Sequence, residues 1–257
     1  MTAPRALLSA LELPRTAFEL GSLFASAPYL QLVKRGDGHP VMVLPGFAAG
    51  DQSTLVLRRY LTSIGYDARP WNLGRNMGLR QAGGIDDLHG ELDRVRHATG
   101  KSVSLIGWSL GGVHARNLAK RAPELVRQVV SLGSPFGGSP RATKVWRAYK
   151  TRNDIDLAPE AVDRYVAQTI TPPPSVPCTA IYSRTDGIVA WQIAMEEPGP
   201  LTDNIEVYGS HCGLGFNPAV YYAIADRLAQ SEGTFERFTR SGWRAAIYGP
   251  ALPSDAE

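Results

Sequence analysis

The chain has 257 residues, 44% of them apolar, which suffices for a sizeable core in a single α/β domain. Its 27 basic and 24 acidic side chains leave a net charge of +3 with no clustered Lys/Arg run, so the footprint of a nucleic-acid binder is missing and no nucleic-acid partner is expected. Two cysteines, Cys178 and Cys212, make neither a metal-ligand spacing nor a disulfide framework.

At the N-terminus, LGSLFASAP (Leu20 to Pro28) ends in a small-residue pattern like a signal cleavage site, but Glu12, Arg15 and Glu19 interrupt the apolar run that a signal peptide needs ahead of it. No run of about 18 uncharged apolar residues exists either, so a cytoplasmic protein is expected. Leu7, Leu8, Leu11, Phe18 and Phe24 fall in a helical extension over about residues 1–36, expected to dock on the domain; weak contact with a membrane surface is its alternative role.

PVMVLPGF (Pro40 to Phe47) is an unbroken apolar run closed by Pro-Gly, as a strand buried on both faces reads. STLVLRRYLTSIG follows as a helix with a capping serine and a terminal glycine. YDARPWNL is a strand and loop, and beyond a glycine-rich loop (Gly74 to Gly84) IDDLHGELDRVRHATG is an amphipathic helix, acidic at its start and basic near its end. VSLIG is a strand and LGGVHARNLAKRA a helix; VRQVVSLGSPF, CTAIYS and NIEVYG are strands, and PAVYYAIADRLAQ is the last helix. Strands separated by helix-length segments imply right-handed crossovers and a mostly parallel sheet with helices on both faces. One break in the alternation, about residues 137–177, holds ATKVWRAYKTRN and PEAVDRYVAQTI and reads as a helical lid or cap insertion within a single domain of residues 1–257.

Gly107-Trp108-Ser109-Leu110-Gly111 sits where the period changes from strand to helix. Gly-x-Ser-x-Gly arises by chance in roughly one such sequence in five or six, so its strand-turn-helix setting carries the argument: that turn projects a serine hydroxyl above the sheet edge. A serine needs a base to take its proton, usually histidine. His39, His89, His97 and His114 read as surface or packing residues, whereas His211 lies in a Gly-Ser-His-Cys-Gly loop just past a strand, where α/β sheets gather reactive groups. The carboxylate that would orient it is Asp186, just past CTAIYS; Asp154, Asp156 and Asp163 fall in the insertion, and Glu196, Glu197 and Asp203 precede the next strand.

The order Ser109, Asp186, His211, with the segments GWSLGG, VLPGF, SRTDGIV and GSHCGLGFNPAVYYAIADRLA, resembles the α/β-hydrolase superfamily, in particular its bacterial lipase-like and esterase-like serine hydrolases, over about residues 38–230. The resemblance implies an α/β-hydrolase fold and an oxyanion hole made by the backbone N–H of Leu110 and that of Phe47, although Pro45-Gly46-Phe47 stands where the family often has His-Gly. It implies cleavage of a small-molecule or lipid carboxylic ester through an acyl-enzyme, with no metal or organic cofactor. Trp108, Phe47, Trp146, Tyr149, Tyr165 and Trp191 are candidate walls for an apolar acyl chain; Arg75 and Asn76 receive no role, and the oligomeric state is left open. Acyl transfer by the same triad and a noncatalytic binding protein on the same scaffold are the alternatives.

Overall fold

The computed structural model describes residues 2–78 and 84–250. Two N-terminal helices, α1 (Ala6–Ala10) and α2 (Glu12–Leu30), precede six strands: β1 (Pro40–Leu44), β2 (Asp67–Pro70), β3 (Val103–Trp108), β4 (Val126–Leu132), β5 (Cys178–Tyr182) and β6 (Thr202–Glu206). All pair in parallel in the order β2-β1-β3-β4-β5-β6. Helices α3 (Leu55–Ser63), α4 (Ile85–Thr99), α5 (Leu110–Arg121) and α8 (Pro218–Leu228) cover its faces, while α6 (Trp146–Arg152) and α7 (Pro159–Tyr165) lie between β4 and β5. The middle of the glycine-rich loop expected at Gly74 to Gly84, residues 79–83, lies outside the described residues.

The pleat sorts alternate residues into two layers. Val41, Val43, Ile106 and Val130 pack with α2, α3 and α8, and Met42, Leu44, Leu105 and Val129 pack with α4 and α5. A sheet covered on both faces needs apolar residues at every position, which is why β1 reads as a continuous hydrophobic run. The register aligns the strand ends: Leu44 pairs with Gly107, Trp108 with Leu132, Leu132 with Ile181 and Tyr182 with Glu206. The residues that follow these ends share one edge. The chain runs from β1 out to β2 and then back past β1 to β3, making the carboxyl ends of β1 and β3 a switch point where such sheets open a crevice.

Two local expectations are revised. Ser53 does not cap α3: it sits in a 3₁₀ turn (Asp51–Thr54), where its hydroxyl donates to the Gly50 carbonyl, and α3 has no side-chain cap. Asp203 lies inside β6 rather than before it. That polar strand is tolerated because the C-terminal segment satisfies it: Asp203 accepts the Phe238 N–H at 2.7 Å and faces the guanidinium groups of Arg240 and Arg227.

The insertion is laced to the body. Lys144 N–H donates to Ile188 O at 2.9 Å and Ala190 N–H to Ala142 O at 3.0 Å. On α5, buried Arg116 pairs with Glu196, donates to Thr171 O and lies 3.9 Å over the Phe136 ring, so a single guanidinium joins α5 to the exit of the insertion.

Close approach at the start of α5 requires glycine. A Cβ on Gly107 would lie 2.3 Å from Gly112 Cα, and one on Gly111 would lie 2.3 Å from the Leu44 carbonyl oxygen. Because the obstacle at Gly111 is backbone at the end of β1, a strand paired on both sides, it cannot swing aside. Gly111→Ala is therefore expected to cost about 2–3 kcal/mol of stability, read as a lower urea midpoint; an unchanged midpoint would mean that α5 can retreat from β1 freely.

Candidate active site

Ser109 joins β3 to α5 with φ 53° and ψ −120°, a region that non-glycine residues seldom occupy and that costs about 1–3 kcal/mol. Its N–H donates to Leu132 O at 2.8 Å, which anchors the turn on β4. The residue is buried, and among the described residues its hydroxyl makes no hydrogen bond. Contacts of this kind are commonly long before substrate binds. The backbone N–H groups of Leu110, in the first turn of α5, and Phe47, after β1, are likewise without an acceptor among the described residues.

The loop after β1 is braced from beneath. Asn76, fully buried, donates through Nδ2 to Pro45 O at 2.7 Å; its N–H donates to Ala49 O at 2.8 Å, and its carbonyl accepts the Ala48 N–H at 2.7 Å. His114 of α5 is the second layer, with Nε2 at 3.2 Å from Asn76 Oδ1. Burial pulls the His114 pKa down to about 3, so the ring is a neutral donor. Thus His114 is a packing histidine, as its position on the helix suggested, while Asn76, which had no expected role, holds the loop that carries Phe47. His39 is bonded to Asp37 and Ser104, and His89 faces Asp93.

Asp186 and His211 are brought into direct contact, Nδ1 to Oδ2 at 2.6 Å, both buried. The other oxygen of Asp186 accepts the Ile188 and Val189 N–H groups at 2.8 and 2.7 Å, which locks the carboxylate. With Nδ1–H donated to Asp186, the neutral ring keeps Nε2 as an acceptor. Burial alone pulls the His211 pKa down, but the charge and hydrogen bond of Asp186, with the charge of Glu12, outweigh it and leave the ring above its ordinary value. Ser109 and this pair are linked through the end of β4, without a hydrogen bond between the serine and the histidine among the described residues: the Ser109 N–H is bonded to Leu132 O, Gly133 follows Leu132, and a Cβ there would lie 3.1 Å from Asp186 Oδ2 and 3.2 Å from His211 Nδ1. The Trp108 indole also donates to His211 O at 3.1 Å.

Three residues of α2 complete the site, and none was anticipated. Glu12 accepts the N–H groups of Gly187 and His211 on one oxygen, at 2.8 and 3.0 Å, and that of Cys212 on the other at 2.8 Å. Glu19 accepts the Ser210 N–H at 2.6 Å and the Ser210 hydroxyl at 2.5 Å; Arg15 donates to Thr185 O and Oγ1, each at 2.7 Å. The available signal was spacing: charges at 12, 15 and 19 share one helix face in an otherwise apolar segment.

Of the candidate pocket aromatics, Phe47 packs edge-on against Tyr149 at 5.5 Å, and Tyr149 stacks with Trp146, so α6 of the insertion touches the loop after β1. Trp191 stacks on Tyr182 instead, Trp108 packs on Phe216, and Tyr165 is exposed. A cavity of about 1250 Å³ lies elsewhere, bordered by Tyr29, Leu32, Tyr222 and Trp243.

A family model described as alpha/beta hydrolase fold matches residues 64–153, which include Ser109 but not Asp186 or His211. Aspergillus fumigatus lipase B superposes with a TM-score of 0.59 at 17% identity, over 76% of this chain and 53% of that one, so the chain spans about half the length of that lipase. A monoacylglycerol lipase from Paleococcus ferrophilus gives 0.54 at 16% identity, over 76% and 95% of the two chains. Alpha/beta hydrolase domain-containing protein 10 from mouse gives 0.51 at 15% identity, over 75% and 88%. No curated protein matches in sequence. Parallel strand order, the strained serine turn and the matched family model together make this chain a protein of the α/β-hydrolase fold.

Proposed function

We propose that the protein is a serine hydrolase that cleaves carboxylic esters through an acyl-enzyme. The observation that carries this reading is the buried Asp186–His211 bond, together with a serine held at positive φ at the carboxyl edge of the same sheet. In this mechanism Ser109 Oγ attacks the ester carbonyl carbon as His211 Nε2 takes its proton; the tetrahedral oxyanion is received by the N–H groups of Leu110 and Phe47. Collapse breaks the carbon–oxygen bond to the alcohol, which leaves with the proton from His211. Water, deprotonated by the same nitrogen, then releases the acid and restores Ser109.

The lipase structures of like fold support an ester as substrate. The aromatic wall of Phe47, Tyr149 and Trp146 favours an apolar acyl group. The helical insertion over about residues 137–177 is then a cap over that group, and the N-terminal extension over about residues 1–36 a support for the acid and histidine loops. Glu12 acts as a positioning residue through His211.

Ser109→Ala is expected to lower kcat on p-nitrophenyl esters by about 10⁴ to 10⁶ and to abolish fluorophosphonate labelling; turnover at the wild-type rate would remove Ser109 from the mechanism. Because His211 must be neutral to accept a proton and its pKa lies above the ordinary 6.5, kcat/KM should fall on acidification through a midpoint above that value. Glu12→Gln removes a charge that favours the protonated ring, so its acid limb should move to lower pH, with kcat reduced by roughly tenfold as the loops loosen. A merely structural Glu12 would reduce kcat with the midpoint unmoved.

A further inference from the structure

Helix α2 has its charges on the inside. Glu12 and Glu19 are buried and Arg15 is half-buried, all bonded to the loops of the candidate site. Every exposed residue from Ala10 to Tyr29 is uncharged. The bulky members of the outer surface of α1, α2 and the turn after them are Leu7, Leu13, Phe18, Phe24, Tyr29 and Leu32, each more than two-thirds exposed. Within α2, at 100° per residue, Phe18 and Tyr29 share one stripe and Leu13 and Phe24 another, about 120° around the helix.

Cations flank this face at both ends, with exposed Asp37 and Glu236 beyond its far end. Exposed Arg5 precedes it and exposed Lys34 and Arg35 follow it, while the acidic groups of residues 2–36, Glu12 and Glu19, are turned inward. Trp243 and Ile247, also exposed, border the groove shared with Tyr29, Leu32 and Lys34 and extend the apolar surface past the end of α2. A face that is apolar, aromatic and flanked by cations is suited to the boundary between acyl chains and anionic headgroups. Among the described residues no helix is long and apolar enough to cross a membrane, and the inward charges fix α2 along the body, so the geometry is that of a helix lying in the interface plane. A second copy fits less well: a 19-residue helix face is about 28 Å long and about 10 Å wide, offering roughly 300 Å² against the ~800 Å² per partner of a stable dimer.

We propose that the outer face of α1 and α2 docks on an anionic lipid surface. The consequence for catalysis rests on the ester-hydrolase reading: docking would set the Ser109 edge beside a lipid ester, since the inner face of the same helix grips the acid and histidine loops. Lipid binding itself needs no catalysis and is tested without it.

The test is flotation of the full chain with phosphatidylcholine vesicles, with and without phosphatidylglycerol, for wild type and for Phe18→Glu combined with Phe24→Glu. Both side chains point into water, so far-UV circular dichroism and turnover of a soluble short-chain ester should be unchanged. Wild type should float with the anionic vesicles, and the double variant should lose roughly tenfold or more in partitioning. Binding should weaken with salt, and Arg5, Lys34 and Arg35 changed together to Gln should remove the preference for phosphatidylglycerol. Absence of flotation by wild type, or equal flotation by the double variant, would overturn the proposal. So would a concentration-dependent dimer in sedimentation that the double variant splits, which would give the face to a second copy. If Ser109→Ala leaves turnover intact while flotation behaves as expected, the hydrolase reading fails and the docking surface stands.

Discussion

Three backbone N–H groups from two loops converge on the carboxylate of Glu12, and this convergence fixes where Asp186 and His211 stand relative to each other. Loops after neighbouring strands are free to part unless something buried demands both. Glu12 is 4% exposed, and a desolvated carboxylate without donors is costly, so the loops must supply theirs. Charged hydrogen bonds of this kind contribute about 1.5–3 kcal/mol each. Arg15 leaves Glu12 to the peptide dipoles and binds Thr185 instead, which extends the clamp along the acid loop. The same negative charge raises the proton affinity of His211, coupling loop geometry to the chemistry of its ring.

Support for Ser109 is built separately, on the other half of the sheet. Gly111 lets α5 press against the β1 carbonyl, and the Asn76–His114 layer holds the Pro45-to-Ala49 loop, so serine and loop move as one body. The two halves meet at the end of β4. Ser109 N–H is bonded to Leu132 O and the Gly133 N–H to Ile181 O, and the missing side chain of Gly133 leaves room for the Asp186–His211 pair. A parallel sheet makes such a meeting rigid because its registers align all the loop origins at one edge.

What could be read from the sequence is what short-range physics determines. Apolar runs such as PVMVL and VSLIG must be strands buried on both faces, and Ser109, Asp186 and His211 follow strand ends closely enough that the chain has little freedom to take them elsewhere. Residues whose partners are remote in sequence could not be read. Glu12 is 199 positions from His211 and looked like an interruption of an apolar segment; Asn76 looked like a loop residue because His114 is 38 positions away. Thr202 and Asp203, just ahead of the strand read at NIEVYG, resemble a loop until the C-terminal segment is placed against them, with Phe238 N–H and Arg240 meeting Asp203. Nothing in their own composition announces that cover.

The inward charges of α2 also explain why its outer face stays exposed. Burying a phenylalanine side chain is worth roughly 1.5–3 kcal/mol, so a helix free to roll would turn Phe18 and Phe24 toward the body. Rolling would strip Glu12 and Glu19 of the Gly187, Ser210, His211 and Cys212 donors and part Arg15 from Thr185, while carrying buried Leu23 and Leu30 into water. Several charged hydrogen bonds and two leucines outweigh two phenylalanines. The grip that positions His211 is thus what holds an apolar helix face toward solvent.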